Sequence, residues 1–466
     1  MRNYLVFSMA ALMIGAPCFA QTKKAAKFTG AAGEVKIITL DPGHFHASLV
    51  QKVSYPQVSK DVYVYAPKGF DVNEHLKRID GFNKRATSPT SWNEIVYTGS
   101  DFMEKMLAEK KGNVVVLAGN NRKKTEYIKR SLEAGLNVLS DKPMAINSQN
   151  FKLLKECFGI AKQKGVLLYD IMTERNEITT VLQRELSMIP AVYGTQLKGT
   201  PKNPAIVKES VHHLFKFVDN KPLTRPDWYF DVTQQGEGIV DVTTHLVDLV
   251  QWEAFPGQVI DYTKDIRMLD ANRWTTAISL DQYKQVSGED NYPEFLKKDV
   301  QNDTLKVYCN GDILYKIKGV CAKVSVTWNY TFPKGGGDTH FSVMKGSKAD
   351  LIIRQGKEQN YQPELFIQTA KGSNMALYEK TLDASMAKVI AKYPGVALEK
   401  VTDGIWHVTI PAKYRIGHEA HFGQVTEHFL DYLKKGTLPS WEVPNMLAKY
   451  YVTTSALDMA KAKTKK

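Results

Sequence analysis

The sequence holds few cysteines, no apolar run long enough to cross a bilayer and no block of simple repeats, and each absence narrows what the chain can be. Only four cysteines occur among 466 residues, and none has the CxxC or Cys/His spacing of a zinc site. Its longest apolar stretch, Tyr4 to Ala16, covers roughly 13 residues, short of the ~20 that a membrane helix needs. There is therefore no transmembrane anchor to expect. Acidic residues are the scarcer charge: 49 Asp and Glu stand against 62 Lys and Arg, a formal net charge of +13. The lysines are scattered, Lys461, Lys463, Lys465 and Lys466 fall in the terminal tail, and no nucleic-acid motif appears, so the excess reads as a solvated basic surface with no nucleic-acid partner.

What is present is the composition of a folded globular protein, with 43 % apolar and 24 % charged residues. The length exceeds one ordinary core and implies two domains. Residues 1–20 have the layout of an export signal, with Arg2, the apolar run, Pro17, Cys18, Phe19 and Ala20 ahead of Gln21. The expectation is an exported, periplasmic chain; acylation at Cys18 is the rival, and Pro17 spoils the lipobox. Of the remaining cysteines, Cys309 and Cys321 could pair, while three buried thiols (with Cys157) is the plainer reading.

A polar linker at 21–33 leads to Val35-Lys36-Ile37-Ile38-Thr39-Leu40, whose β-branched density marks a buried strand. It stops at Asp41-Pro42-Gly43, and helix-compatible sequence begins at His46. Further strands fall at Val62 to Tyr65 and Val96-Tyr97. From Asn113 to Asn147 a strand (Val114 to Ala118), a helix (Thr125 to Ala134, stopped by Gly135) and a strand (Val138-Leu139) form a βαβ crossover, which implies a parallel sheet with its ligand edge at the strand carboxyl ends. Asn120, Asn121, Asp141 and Lys142 fall on that edge. Past Val166 to Tyr169 the pattern turns to longer helices and to strands such as Ala322 to Thr331 and Leu351 to Ile353. This reads as an α+β domain with a large open mixed or antiparallel sheet, finished by helices at Glu419 to Lys434 and Val443 to Lys461. The expected domains are 34–170 and 171–466.

Two constellations carry chemistry. Ser140-Asp141-Lys142-Pro143 leaves a strand end, where a lysine can lower a hydroxyl's pKa or relay a proton. In Gly236-Glu237-Gly238-Ile239-Val240-Asp241-Val242-Thr243-Thr244-His245, a helix after Gly238 would bury Ile239, Val242, Leu246 and Leu249 and set Asp241, His245 and Asp248 on a neighbouring stripe. A carboxylate and an imidazole one turn apart can share a proton or grip a diol, but they also suit a solvated i,i+4 pair. As a metal pair they lack a further ligand at a sensible spacing, so no metal is expected. Where a dinucleotide fold carries GxGxxG, this chain reads Asp41-Pro42-Gly43-His44-Phe45-His46, with one glycine in place of three. The second strand ends in Ala66-Pro67-Lys68 rather than an acidic residue, which leaves NAD against NADP open.

Together these segments resemble the Gfo/Idh/MocA superfamily of oxidoreductases. The resemblance rests on Val114 to Asn121, Leu132 to Leu139 and Asp141-Lys142-Pro143 (with Asp for the family's usual Glu), on Gly236 to His245, on Lys345 to Ala349 and on Phe422 to Met459. It implies a Rossmann domain followed by an open-sheet α/β domain and a bound NAD or NADP. The residues it places around the cofactor are Asp41, Gly43, His44, Phe45, His46, Asp141 and Lys142, with Asn120 and Asn121 beside the nicotinamide ribose. Lys142 would touch nicotinamide and substrate, His245 would move the proton, and Asp241 would orient sugar hydroxyls, with His212, His213, Trp228 and Tyr229 lining the pocket. Implied too are a sugar or glycoside oxidised at a ring secondary hydroxyl such as C3, a cofactor bound during folding for use outside the cytoplasm, and a homo-oligomer through the open sheet face. Two alternatives stand beside this: a glycosidase that oxidises transiently and eliminates, and a carbohydrate-binding protein that has lost its phosphate loop.

Overall fold

The computed structural model describes residues 28–218, 221–332 and 335–464, so the expectations for the signal segment 1–20 and for Cys18 lie outside the described residues. Among the described residues no helix is long and apolar enough to cross a membrane.

The first sheet is built from β1 (Ile37–Leu40), β2 (Asp61–Ala66), β3 (Asn93–Thr98), β4 (Val114–Leu117), β5 (Asn137–Asp141) and β6 (Leu168–Ile171), joined through α1 (His46–Leu49), α2 (Phe70–Lys84), α3 (Phe102–Glu109), α4 (Lys124–Glu133) and α5 (Ser148–Lys164). Its order is β3-β2-β1-β4-β5-β6, and every pairing is parallel. Every residue of β1, β4, β5 and β6 is buried, as expected of strands covered by helices on both faces. The order reverses between β1 and β4, so the crevice for a ligand opens above the loops that follow these two strands. This is the Rossmann topology.

After α6 (Ile178–Ser187) the chain builds a ten-stranded sheet. From one edge the strands run Ile266–Ser279, Thr304–Ile317, Val320–Asn329, Ile206–His213, Thr339–Lys345, Ala349–Gln355, Glu364–Thr369, Ile405–Thr409 and Ala397–Thr402, with Val300–Gln301 beside Thr304–Ile317. Only Val320–Asn329 with Ile206–His213 is parallel; the other pairs are antiparallel, so the sheet is mixed. Helix α7 (Thr243–Ala254) lies on it, and Leu246, Val247 and Val250 share a core with Val324 and Val326. The closing helices His418–Lys435 and Glu442–Thr464 return to the first sheet: Phe422, Val425, Phe429, Met446 and Tyr450 belong to the same buried cluster as Ile38 and Val115.

Cys309 and Cys321 do not pair; they and Cys157 are free thiols. The hairpin register explains it. Lys316 stands opposite Cys321, and Cys309 lies beyond the Gly311 and Val326 pair, about 24 Å along strands that rise ~3.4 Å per residue.

Candidate active site

Lys142 leaves the carboxyl end of β5, and its Nζ lies 2.6 Å from Asp241 Oδ1. The other Asp241 oxygen accepts a hydrogen bond from Gln235 Nε2 at 3.0 Å. Burial works against the Lys142 charge, but Asp241, with Asp141 behind it, outweighs that and holds the ammonium above the ordinary lysine range. Asp241 is fixed by its glycines. Gly236 takes φ +94°, a left-handed conformation that other residues resist. A Cβ on Gly238 would stand 1.8 Å from the Cys309 carbonyl oxygen, because the strand Thr304–Ile317 passes directly against it. The helix begins only at Thr243, so Asp241 sits in the turns leading into α7 rather than on the helix itself.

His245 falls on the first turns of α7 and faces the same cavity as Lys142 and Asp241, a space of about 490 Å³ between the two sheets. Its Nδ1 is buried and has no hydrogen-bond partner among the described residues. Burial first, then the Lys142 charge, lowers its pKa to about 4, so the imidazole is neutral and ready to accept a proton. Ile239, Val242, Leu246 and Leu249 are buried, but so are Asp241 and Asp248, and Ile239 and Val242 precede the helix, so no separate apolar stripe stands out. Asp248 does not join Asp241 and His245. It is buried away from the cavity lining, where Arg175 Nε and Nη2 donate to its oxygens at 2.6 and 2.7 Å and Lys449 Nζ lies 2.9 Å away.

The cavity also holds groups that the sequence reading did not name, Glu174, His340, His418 and His421 among them. Seven of the chain's eleven histidines line it: His44, His46, His212, His245, His340, His418 and His421. Glu174, just past β6, sits 3.2 Å from His418 Nδ1, and although burial opposes its charge, His418 holds it well below the usual carboxylate range. On the opposite wall Asp338 gathers His212 Nδ1 (3.5 Å), His213 Nδ1 (2.8 Å) and Lys216 Nζ (3.2 Å), while Arg225, Tyr229 and Trp328 supply an aromatic and cationic flank. Glu174 was within reach of the rule that strand carboxyl ends bear ligands. His418 and His421 were not, since nothing local says that a closing helix returns to the first domain.

Other expected residues fall elsewhere. His213 stands behind the wall, on Asp338. Trp228 is outside the cavity, donating from Nε1 to Asp71 Oδ2 at 2.8 Å and packing beside Gly43. Asn120 donates to Gln234 Oε1 at 2.8 Å and Asn121 to the Gln235 carbonyl at 2.7 Å, tying the β4 loop to the second domain. Asp41 is half-buried at φ +47°, and desolvation raises its pKa against a hydrogen bond from Tyr127.

For a dinucleotide these residues fit at one end. Lys142 and the open cavity suit a nicotinamide ring and the substrate beside it. At the diphosphate end the amides of Gly43 and His44, which a glycine loop would offer to phosphate, both donate to the Ala118 carbonyl at 3.1 Å. The space beyond them, toward α2, is only about 30 Å³. Any diphosphate grip must therefore differ from the glycine-loop pattern.

Comparison with known proteins gives two family matches: residues 182–461 match the family described as "Putative oxidoreductase C terminal domain", and residues 72–170 match "Oxidoreductase family, NAD-binding Rossmann fold". The second match begins past the Asp41 to His46 loop. No curated protein matches the chain. Among solved structures, a "putative oxidoreductase" from Parabacteroides merdae ATCC 43184 is 82 % identical, with TM-score 0.93 over 94 % of this chain and 100 % of that one. Levoglucosan dehydrogenase, solved with NADH and levoglucosan, has 14 % identity and TM-score 0.57 over 92 % of this chain and 98 % of its own. Biliverdin reductase from Synechocystis sp. PCC 6803, solved with biliverdin and NADP+, has 12 % identity and TM-score 0.54 over 92 % and 99 %. At such identities the last two share the fold alone, and the fold serves quite different substrates.

Proposed function

The chain belongs to the Gfo/Idh/MocA family of NAD(P)-dependent oxidoreductases, and from that premise we propose that it acts on a ring secondary hydroxyl of a sugar or glycoside, outside the cytoplasm. The observation that carries the reading is the convergence of Lys142, Asp241 and His245 on one cavity, with Lys142 Nζ 2.6 Å from Asp241. Bound NAD(P) supplies the hydride acceptor or donor. The chain's own groups handle the proton and the oxygen. Neutral His245 takes the hydroxyl proton as the carbonyl forms, and the Lys142 ammonium steadies the negative charge growing on that oxygen. Asp241, held by Gln235, orients Lys142 and a neighbouring hydroxyl of the ring. Ser210, His212 and Asp338 on the far wall offer donors and acceptors for the remaining hydroxyls, and Trp328 and Tyr229 offer apolar faces to the ring. Export rests on the layout of residues 1–20.

A second reading, a carbohydrate-binding protein without a dinucleotide, is favoured by the Gly43 and His44 amides spent on Ala118. Native mass spectrometry of protein exported by its own host separates the two. The expected result is a retained nicotinamide dinucleotide and, on incubation with a disaccharide, accumulating keto-sugar. Protein free of dinucleotide and inert toward added NAD and NADP would overturn the enzyme reading, while release of monosaccharide without net cofactor change would redirect it to a glycosidase.

A further inference from the structure

Two segments far apart in sequence, the loop Asp41-Pro42-Gly43-His44-Phe45-His46 after β1 and Asp141 at the end of β5, meet in the fold. His46 Nδ1 lies 2.9 Å from Asp141 Oδ2, His44 Nδ1 lies 3.8 Å from the same oxygen, and one donor atom from each of the three residues falls within 4.8 Å of the other two. We propose that His44, His46 and Asp141 form a binding site for one divalent transition-metal ion.

The donor set favours this class of ion. Two imidazoles and one carboxylate suit zinc, manganese, cobalt or iron, whereas calcium and magnesium prefer oxygen alone. The donors are held in place before any ion arrives: Asp141 ends a fully buried strand and is 4 % exposed, and His46 opens α1 and is 7 % exposed. Nearby cations are otherwise engaged, Lys142 by Asp241 and Lys124 Nζ by the Asp141 carbonyl oxygen at 3.2 Å. That leaves the Asp141 side chain to the imidazoles. Three protein ligands leave coordination positions open, and His44 and His46 both line the large cavity, so those positions face the space where a ligand would enter. An ion there would take an oxygen donor, such as a hydroxyl or keto oxygen of a polyol, and polarise it.

The test uses the whole chain, stripped with a chelator, dialysed against Co2+ or Zn2+ and desalted, with no dinucleotide or sugar added. Elemental analysis is expected to read about one equivalent of metal, and the Co2+ form to show visible absorption bands from imidazole and carboxylate ligation. His46→Ala and Asp141→Asn should each weaken binding by more than roughly 100-fold. His428→Ala, at an exposed position on a closing helix, should leave both readouts unchanged. Should either buried substitution fail to fold, His44→Ala at the cavity rim reads the same loss. Wild-type protein that retains no metal, or triad variants that keep its stoichiometry and absorption, would overturn the site. The readout needs no hydride transfer, so this proposal and the proposed function stand or fall separately.

Discussion

At Lys142 and His245 the protonation states are set by one charge and one desolvation. Asp241 keeps the lysine cationic, while burial keeps the histidine neutral with a pKa near about 4. The sign for catalysis follows: the accepting imidazole persists through neutral pH and is lost as pH falls through that value. The rate of the proposed oxidation is expected to be level across neutrality and to fall toward tenfold per pH unit below about 4. A limb near the ordinary histidine value would contradict the burial argument. His245→Ala should cost roughly 10²–10⁴-fold in kcat and abolish the limb, and Lys142→Met should cost at least as much with the fold intact by circular dichroism. These residues were legible because each sits in a local pattern, a strand end or a glycine-led turn. The contact of His46 with Asp141 was not, since 95 residues separate them and only the β1 and β5 loops of a common sheet edge bring them together.

Among the elements, the approach to α7 is the tightest. Gly238 exists without a side chain because the Cys309 backbone occupies the place of its Cβ. Gly238→Ala should therefore force the lead-in off the sheet, cost more than about 2 kcal/mol in unfolding and lower activity by moving Asp241. Thermal unfolding and kcat measured together check both. Strands were legible from β-branched runs, and α7 from its apolar spacing at Leu246 and Leu249. The start of α7 was not, because Thr243 and Thr244 bond back to the carbonyls of Ile239 and Val240 through turns that precede regular helix. Apolar periodicity cannot distinguish such turns from helix.

Across the whole molecule the two sheets are tied by buried charge. Arg175, beside cavity-lining Glu174, binds Asp248 of α7 and Glu442 of the last helix at 2.8 Å, and Lys449 of that helix bridges Asp170 of β6 at 2.7 Å and Asp248 at 2.9 Å. Removing Lys449 as Lys449→Met leaves two buried carboxylates short of a partner, and a loss of about 3–5 kcal/mol is expected. It should appear as a lower denaturant midpoint for the whole chain. A second transition confined to one domain would mean that the network does not couple them. No local pattern reports such a network, because its members come from four separate elements. The return of the closing helices has its own consequence during synthesis. Met446 and Tyr450 complete the core around Ile38 and Val115, so the earliest-made third of the polypeptide stays unfinished until its last segment leaves the ribosome. A nascent chain kept open for that long exposes apolar surface, and one truncated near residue 440 should be soluble only with a chaperone's help.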